Sequence, residues 1–553
     1  MTENGKLDLL IDECDSFDIK INSRTIAKSL GIPVLMEGSD RGTIDIERFD
    51  LEPERPVLHG MVEHLDMSKY KSFTTMDEKI PYITAVTGIE TLSTRMKASA
   101  IELMSTISTW PQLASAVIFG GGITADLSRK ILLGNLSVSG RFFIDLDELI
   151  CDPVETVDTS VQAQNINPLS IAEIEDFISN NENAFEESHY QLTNDTLNKI
   201  ITAALKSPSG GNSQPWRWHY QSGVMHLFLE PNASQAYLDP KQISSYVSLG
   251  TAIENLSLAA AACGIKAKHK LTPELAPIHI AYINFEPNYQ MSDVENKLFK
   301  QIDYRHTNRK ITPKQEIDND AIEALNSHID SIDGAKIKWV TDTKSIKEIA
   351  ETASKTDLLR MFITEAHEDF ITREMRWNLD EVNYTEDGIG IDTLDLSNND
   401  HIGIRLLKDK NMIKFLQQIN GGSGFRRLTM TQFLSSSAIG LITMPTEDIA
   451  SFINGGIAAE KLWLAATDLD LQIHPVNVPL IFFYKNRVEN SLPIPLETKK
   501  QLIAAENNFK QLFEIKNDEH AIFMFRIFKA SPSPKRTIRK QISKTFSIGR
   551  AKT

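Results

Sequence analysis

Cysteine is nearly absent. The 553-residue chain has three, Cys14, Cys151 and Cys263. They lie far apart and form no Cys-x-x-Cys pair, so neither a disulfide framework nor a structural zinc site is indicated. No apolar run is long enough to span a bilayer. The opening residues, Met1-Thr2-Glu3-Asn4-Gly5-Lys6, lack the apolar core of a signal peptide. Positive charge is also short: 58 lysines and arginines stand against 74 aspartates and glutamates, a net charge of -16. That balance argues against general nucleic-acid binding. Together these absences predict a soluble, cytoplasmic protein with neither a membrane nor a nucleic-acid partner.

What is present is a globular composition, 41% hydrophobic and 24% charged, in a chain too long for one ordinary core. Two or three domains are expected. Residues 7–150 read as an α/β unit. A buried strand at 7–12, a helix at 19–30 closed by Gly31 and a second strand at 32–36 imply a parallel βαβ crossover. Residues 82–133 read as mainly helical, and 136–150 as strand and turn. Phe119-Gly120-Gly121-Gly122-Ile123 lacks the Gly-x-Gly-x-x-Gly spacing and reads as helix packing or a hinge. Residues 151–190, with Asp152, Glu155, Asp158, Glu173, Glu175 and Asp176, read as an acidic linker carrying one short helix near 171–178.

The stretch around which the rest is organised is Ser207-Pro208-Ser209-Gly210-Gly211-Asn212-Ser213-Gln214-Pro215-Trp216. Leu197, Ile200, Ile201, Ala204 and Leu205 recur at helical spacing before it. Pro208 then biases Ser207 out of the helix. Gly210 and Gly211 have no side chains to hold a ligand off, and Ser209, Asn212 and Gln214 offer donors and acceptors.

A self-similarity follows. The helix Gly250-Thr-Ala252-Ile-Glu254-Asn-Leu256-Ser-Leu258-Ala259-Ala260 matches Gly456-Ile-Ala458-Ala-Glu460-Lys-Leu462-Trp-Leu464-Ala465-Ala466 at one constant offset. Each copy carries Leu and Ala stripes of a core helix. Two copies are therefore expected, about 191–300 and 301–553. Arg305-His306-Thr307-Asn308-Arg309 presents two guanidinium groups and a hydroxyl, a set suited to phosphate. The basic tail Lys535-Arg536-Thr537-Ile538-Arg539 reads by itself as a solvated basic end. Gly421-Gly422-Ser423-Gly424-Phe425-Arg426-Arg427 reads as a lid or a plain turn, the turn being favoured, and Asn454-Gly455-Gly456 as the opening of the second core helix. His367 and His474 have no ligand partner at metal spacing.

The loop 207–216 resembles the FMN-contacting loop of the nitroreductase family, Pro-Ser-Ser/Gly-x-Asn-x-Gln-Pro-Trp. Residues 305–309 resemble that family's Arg-Arg-Ser-x-Arg phosphate motif, with His306 and Thr307 as departures. The tail resembles its basic C-terminal element, and Glu374-Met375-Arg376-Trp377-Asn378 resembles a segment of its single-chain, Acg-like branch. The resemblance implies an α+β nitroreductase fold over 191–553, two fused copies with mixed sheets flanked by helices, and one FMN per chain. Its FMN contacts would be Pro208, Ser209, Gly210, Gly211, Asn212, Gln214, Arg305, His306, Thr307, Arg309, Arg536 and Arg539, with no catalytic side chain and no metal. The implied chemistry passes hydride from NAD(P)H through the flavin to a small electrophilic acceptor. A site made within one chain would permit a monomer.

A second resemblance covers the front. Ile11-Asp12-Glu13-Cys14-Asp15-Ser16 with Asn22, and Gly31-Ile32-Pro33-Val34, resemble ThiF-type adenylating domains, relatives of ubiquitin-activating enzymes. There the residue matching Asp15 helps hold Mg²⁺ and ATP. The family's Gly-rich nucleotide loop precedes this segment and is absent here, so 1–150 is expected to be a partial, Rossmann-like ThiF domain unable to adenylate. Asp12 and Asp15 are then expected to be solvated carboxylates at a strand end. Three readings stay open: an FMN reductase, a flavin-binding or flavin-storing protein with little turnover, and an adenylating enzyme remnant.

Overall fold

The computed structural model describes residues 5, 7–70, 72–103, 105–151, 167–186, 188, 190–272, 274–275, 278–488 and 492–549. Much of the acidic stretch, 152–166 with Asp152, Glu155 and Asp158, lies outside the described residues. Two compact units emerge. One holds 1–160 and 397–425, the other 161–396 and 426–553.

In the first unit four strands form one sheet, in the order Leu10–Asp12, Val34–Gly38, Thr43–Glu47 and Gly140–Phe143. The first two are parallel, joined by the helix Phe17–Ser29, and the other pairs are antiparallel. The crossover expected from the sequence is therefore present as the single parallel pair. Asp12 departs from expectation. Arg24, wholly buried, donates through Nε to Glu47 at 2.7 Å and through Nη1 to Asp12. A guanidinium with no access to water needs carboxylates around it, so Asp12 is an internal counter-ion and not a solvated one; Asp15 is exposed. Gly120 lies inside the helix Ala114–Leu132, where an added Cβ would come 2.1 Å from Glu37 Oε1, in keeping with a packing role. Gly421 and Gly422 do not make a simple turn. Glu102 accepts from the amides of Gly422 and Ser423, and the helix Ser423–Leu434 starts there, because a carboxylate satisfies the free amides of a first turn.

In the second unit two sheets repeat one strand order. Trp216–Gln221, Val224–Leu229, His279–Pro287 and Ile265–Leu271 are neighbours in the first; Lys336–Val340, Ala438–Met444, His520–Lys529 and Leu471–Pro475 are neighbours in the second. Between the sheets pack two 20-residue helices, Ile243–Ala262 and Ile449–Asp468, buried almost along their whole length. They cross at glycine. A Cβ on Gly250 would come 2.0 Å from the carbonyl oxygen of Ile453, and one on Gly456 would come 2.0 Å from that of Val247. The separations 250 to 456 and 247 to 453 are equal, at 206 residues. The crossing is thus reciprocal, as in an isologous contact. Asn454, Gly455 and Gly456 lie within the second helix and do not open it; Asp448 caps that helix, accepting from Ser451 N at 2.7 Å. The first sheet gains a fifth strand from the end of the chain, Phe546–Ile548, parallel to Trp216–Gln221 with Phe546 opposite Trp218.

The same helices carry Glu254 and Glu460, each one turn beyond its glycine and each buried. Glu460 faces Arg305 at 3.2 Å. Glu254 forms no such pair among the described residues. Burial pushes its carboxyl up to about 7, with Lys461 opposing and Glu460 and Glu295 reinforcing.

Two predictions follow from this core. Gly250→Ala or Gly456→Ala forces the two backbones apart and should lower unfolding free energy by ~2–3 kcal/mol or more, read from denaturant midpoints. Below the ordinary glutamate value of 4.5, Glu254 is protonated in both states and has no effect. As pH rises from there through about 7, the unfolded chain ionises while the folded one resists. Stability should therefore fall across that window, by up to ~3 kcal/mol, and then level off. Glu254→Gln should remove that share of the slope in melts taken at pH 5 and pH 8.

Candidate functional site

The helix Asn194–Leu205 buries Leu197, Ile200, Ile201, Ala204 and Leu205 and ends at Lys206. The loop that follows is fastened to the first core helix beside Gly250. Ser207 Oγ donates to the Thr251 carbonyl at 3.1 Å and accepts from Asn255 Nδ2 at 2.8 Å, while Thr251 Oγ1 donates to the Pro208 carbonyl at 3.1 Å. Within the loop Gly211, Asn212 and Gln214 all have positive φ, +58°, +53° and +54°. Two non-glycine residues in this region cost about 1 kcal/mol or more each, so their side-chain bonds must hold them. Ser209 Oγ accepts from Gln214 N at 3.0 Å. Gly210 stays open, its nearest neighbour for an added Cβ being Ser244 Cβ at 3.7 Å.

Those side-chain bonds run to the chain itself. Asn212 Nδ2 donates to the carbonyls of Gly388 and Ile538 at 3.0 and 3.1 Å, and Asn212 Oδ1 accepts from Arg539 at 2.9 Å. Gln214 Nε2 donates to the Glu386 carbonyl at 2.8 Å, and its Oε1 accepts from Lys540 N at 2.8 Å. Both amides thus tie the loop to the segment 386–388 and to the tail. The tail passes here because its last strand joins the first-copy sheet, where Arg217 reaches the Lys544 carbonyl at 2.7 Å. Glu374 closes another side. It ends a π-helical turn, Phe370–Glu374, a geometry frequent at functional sites. A Cβ on Gly211 would come 3.2 Å from its Cγ, and its carboxylate pairs with Arg360. Trp377 is core, donating from Nε1 to the Ile371 carbonyl at 2.9 Å.

The arginines that the sequence placed in one clamp form two groups. In the first, Arg305 lies against Glu460, stacks 4.8 Å from the Trp463 ring and donates to the Lys206 carbonyl at 2.8 Å. Arg539 donates to the same carbonyl at 3.3 Å, and its Nε is buried with no partner. Two guanidinium groups therefore close the negative end of the helix that feeds the loop. Burial, followed by the Arg305 charge, pulls Arg539 down to about 9. Arg536 is exposed and reaches the Asp303 carbonyl. His306 is committed, with Nδ1 2.8 Å from the Tyr304 carbonyl and Nε2 accepting from Ser533 N at 2.8 Å. Thr307 pairs its backbone with Ile473 in a parallel bridge.

Arg309 belongs to the second group. It donates to the Thr393 carbonyl at 3.3 Å, and its charge acts on Arg526 and His474. Arg526 has no exposure. It donates to His474 Nδ1 at 3.0 Å, to the Gln432 carbonyl at 3.0 Å and to the Lys310 carbonyl at 2.9 Å, and it stacks 4.2 Å from Phe528. Burial, then Arg309, lowers it to about 9. Burial, then Arg526 and Arg309, holds His474 neutral.

Sequence reasoning missed Arg526, Arg360, Glu386 and Lys540 at this place. Arg526 had a signal: it interrupts the otherwise apolar run Ile522-Phe-Met-Phe-Arg526-Ile-Phe528, and an unpaired charge inside an apolar strand is rarely idle. Arg360 sits on the periodic helix Thr343–Phe362, where nothing in its local pattern marks it out, and Glu386 and Lys540 lie outside such segments. Among the described residues no group of three or more His, Cys, Asp or Glu is placed to hold a metal, and no helix is long and apolar enough to cross a membrane.

No family model matches the chain. It is 28% identical over 536 residues to an uncharacterized protein of Mycobacterium tuberculosis (strain CDC 1551 / Oshkosh), a match covering 95% of this chain and 70% of that protein. It is 25% identical over 177 residues to a protein of the same organism named "Putative NAD(P)H nitroreductase acg", covering 32% of this chain and 53% of that one. A further "Putative NAD(P)H nitroreductase" of that organism is 31% identical over 94 residues, 17% of this chain and 27% of its own. The chain thus spans about half the length of the first of these nitroreductases. Part of it is nitroreductase-like; the adenylating-domain resemblance of residues 1–150 finds no counterpart among the named relatives. Among solved structures, an FMN-dependent nitroreductase of Mycobacterium smegmatis in complex with NADPH matches at 13% identity with a TM-score of 0.27, covering 47% of this chain and all of that one. A nitroreductase of Desulfitobacterium hafniense with bound FMN matches at 11% and 0.26, covering 44% and 95%.

Proposed function

We propose that residues 191–396 and 426–553, the part of the expected 191–553 span that lies in the second unit, form an FMN-dependent, NAD(P)H-linked oxidoreductase domain of nitroreductase type, in which two fused copies make one cofactor site. The observation that carries this reading is the loop 207–216, fastened to the first core helix on one side and to the C-terminal tail on the other. Its order of residues is the nitroreductase one, and the relatives matched over part of the chain bear that name. The residues suit the cofactor's phosphate. Arg305 and Arg539 bring two positive charges against one carboxylate, Glu460, and Arg539 Nε lacks a partner. A phosphate dianion would supply the missing acceptor. Gly210 leaves room for a flat ring to approach the backbone.

Bound there, FMN would supply hydride exchange between a reduced nicotinamide and an electrophilic acceptor. The chain's own part is to bind and orient. Arg305 and Arg539 would hold the phosphate, Pro208–Gly211 would lie along the ring, and Asn212 and Gln214 would fix the loop through the contacts they already make with 386–388 and the tail. Arg309, His306 and Thr307 fall outside this phosphate group, which narrows the clamp drawn from the sequence.

A second reading, a flavin-storing protein with little turnover, is favoured by Glu374, which lies on Gly211, and by the segment 386–388, which covers the loop's amides. Adding NADPH or NADH anaerobically to the FMN-loaded chain separates the two. Bleaching near 450 nm within seconds to minutes, restored by a quinone or nitroaromatic acceptor, is the outcome expected of a reductase. A visible spectrum that stays yellow for hours sinks the reductase reading and leaves storage.

A further inference from the structure

Among the described residues the second cationic group has no carboxylate at ion-pair distance. Arg526 is wholly buried, and its three hydrogen bonds go to two carbonyls and an imidazole nitrogen. Arg309 beside it has the Thr393 carbonyl. Among the described residues neither guanidinium has a carboxylate within 4.0 Å. Buried charges are ordinarily paired, because an uncompensated one costs several kcal/mol. The carboxylates that face Arg309 are Glu374 and Asp395. Glu374 is taken by Arg360. Asp395 accepts from Ser533 Oγ at 3.0 Å and keeps one oxygen buried without a partner.

His474 completes the group. Arg526 Nε–H donates to its Nδ1 at 3.0 Å, so the imidazole proton must reside on Nε2. The residue stands next to Ile473, the bridge partner of Thr307, which places it alongside the Arg305–Arg309 segment. A neutral N–H donor and a guanidinium in one place are the parts of an oxyanion site, and Arg526 sets the donor's tautomer from behind.

We infer that Arg309 and His474, backed by Arg526, form an oxyanion subsite separate from the Arg305–Arg539 phosphate group, and that it receives a phosphate or carboxylate carried by a substrate of the proposed reductase. The inference rests on the proposed function for its role, but the binding does not require flavin. Two sources share this chemistry: the additional phosphate of NADPH, and a carboxylate on the acceptor.

The test uses the full chain without flavin, in an Arg539→Gln background that disables the first group. Inorganic phosphate is titrated calorimetrically into Arg539→Gln and into Arg539→Gln with Arg309→Gln. The single variant should bind one phosphate per chain, the double variant at least tenfold more weakly, and Arg309→Lys should retain most of the affinity. No phosphate binding to Arg539→Gln, or equal affinity in both variants, overturns the inference. Should Arg539→Gln fail to fold by circular dichroism, the FMN-saturated chain with and without Arg309→Gln serves the same comparison, because the cofactor then fills the first group. Displacement of the phosphate by NADPH but not by NADH assigns the subsite to the reductant; displacement by benzoate assigns it to the acceptor. Because the first titration contains no FMN, its failure is distinct from a failure to bind flavin.

Discussion

The structure of the second unit depends on two helices approaching closely enough for backbone to touch backbone. Gly250 and Gly456 permit it, each facing a carbonyl of the opposite helix at the same offset. Everything that forms the loop's surroundings hangs on this crossing. Thr251, next to Gly250, and Asn255, about one turn on, anchor the loop 207–216. One turn beyond Gly456, Glu460 receives Arg305. A symmetric crossing thus supports asymmetric furniture: a ligand-type loop and a paired glutamate on one side, and Glu254 without its own arginine on the other.

Charge is the second organising constraint. The chain is acidic overall, yet the second unit holds Arg305 and Arg539 in one group and Arg309 and Arg526 in another, and among the described residues the one carboxylate at ion-pair distance from any of the four is Glu460. Interiors do not accumulate unpaired guanidinium groups without compensation. Backbone carbonyls at Lys206, Lys310, Gln432 and Thr393, and the rings of Trp463 and Phe528, supply part of it. The remainder is the physical basis for expecting anionic ligands, and it stands independently of any likeness to other proteins.

Much of this was legible beforehand where local signals are strong. Apolar periodicity placed the helix before the loop, and the Gly/Glu register of 250–260 against 456–466 placed both core helices, because patterns of that kind record burial directly. What stayed hidden was set by distant partners. Asn212 and Gln214 look like ligand donors in sequence; only the return of the tail to the first-copy sheet reveals that Gly388, Ile538, Glu386 and Lys540 claim them. Arg305 and Arg309, four residues apart, read as one clamp, but the short Thr307–Ile473 bridge sends them to different neighbours. Asp12 looks like a turn carboxylate because its partner Arg24 sits on the following helix and the other carboxylate on that arginine, Glu47, lies far along the chain. Gly455 and Gly456 resemble a helix start until the facing strand and helix are seen to press on them.

We propose that two diverged copies build one flavin site per chain. Titrating FMN into the purified full chain, followed by quenching of flavin fluorescence, counts such sites without any assumption about acceptor or reductant. One site per chain predicts saturation at one equivalent. Saturation at two equal equivalents, or no quenching at concentrations far above those at which flavoproteins retain FMN, would contradict it.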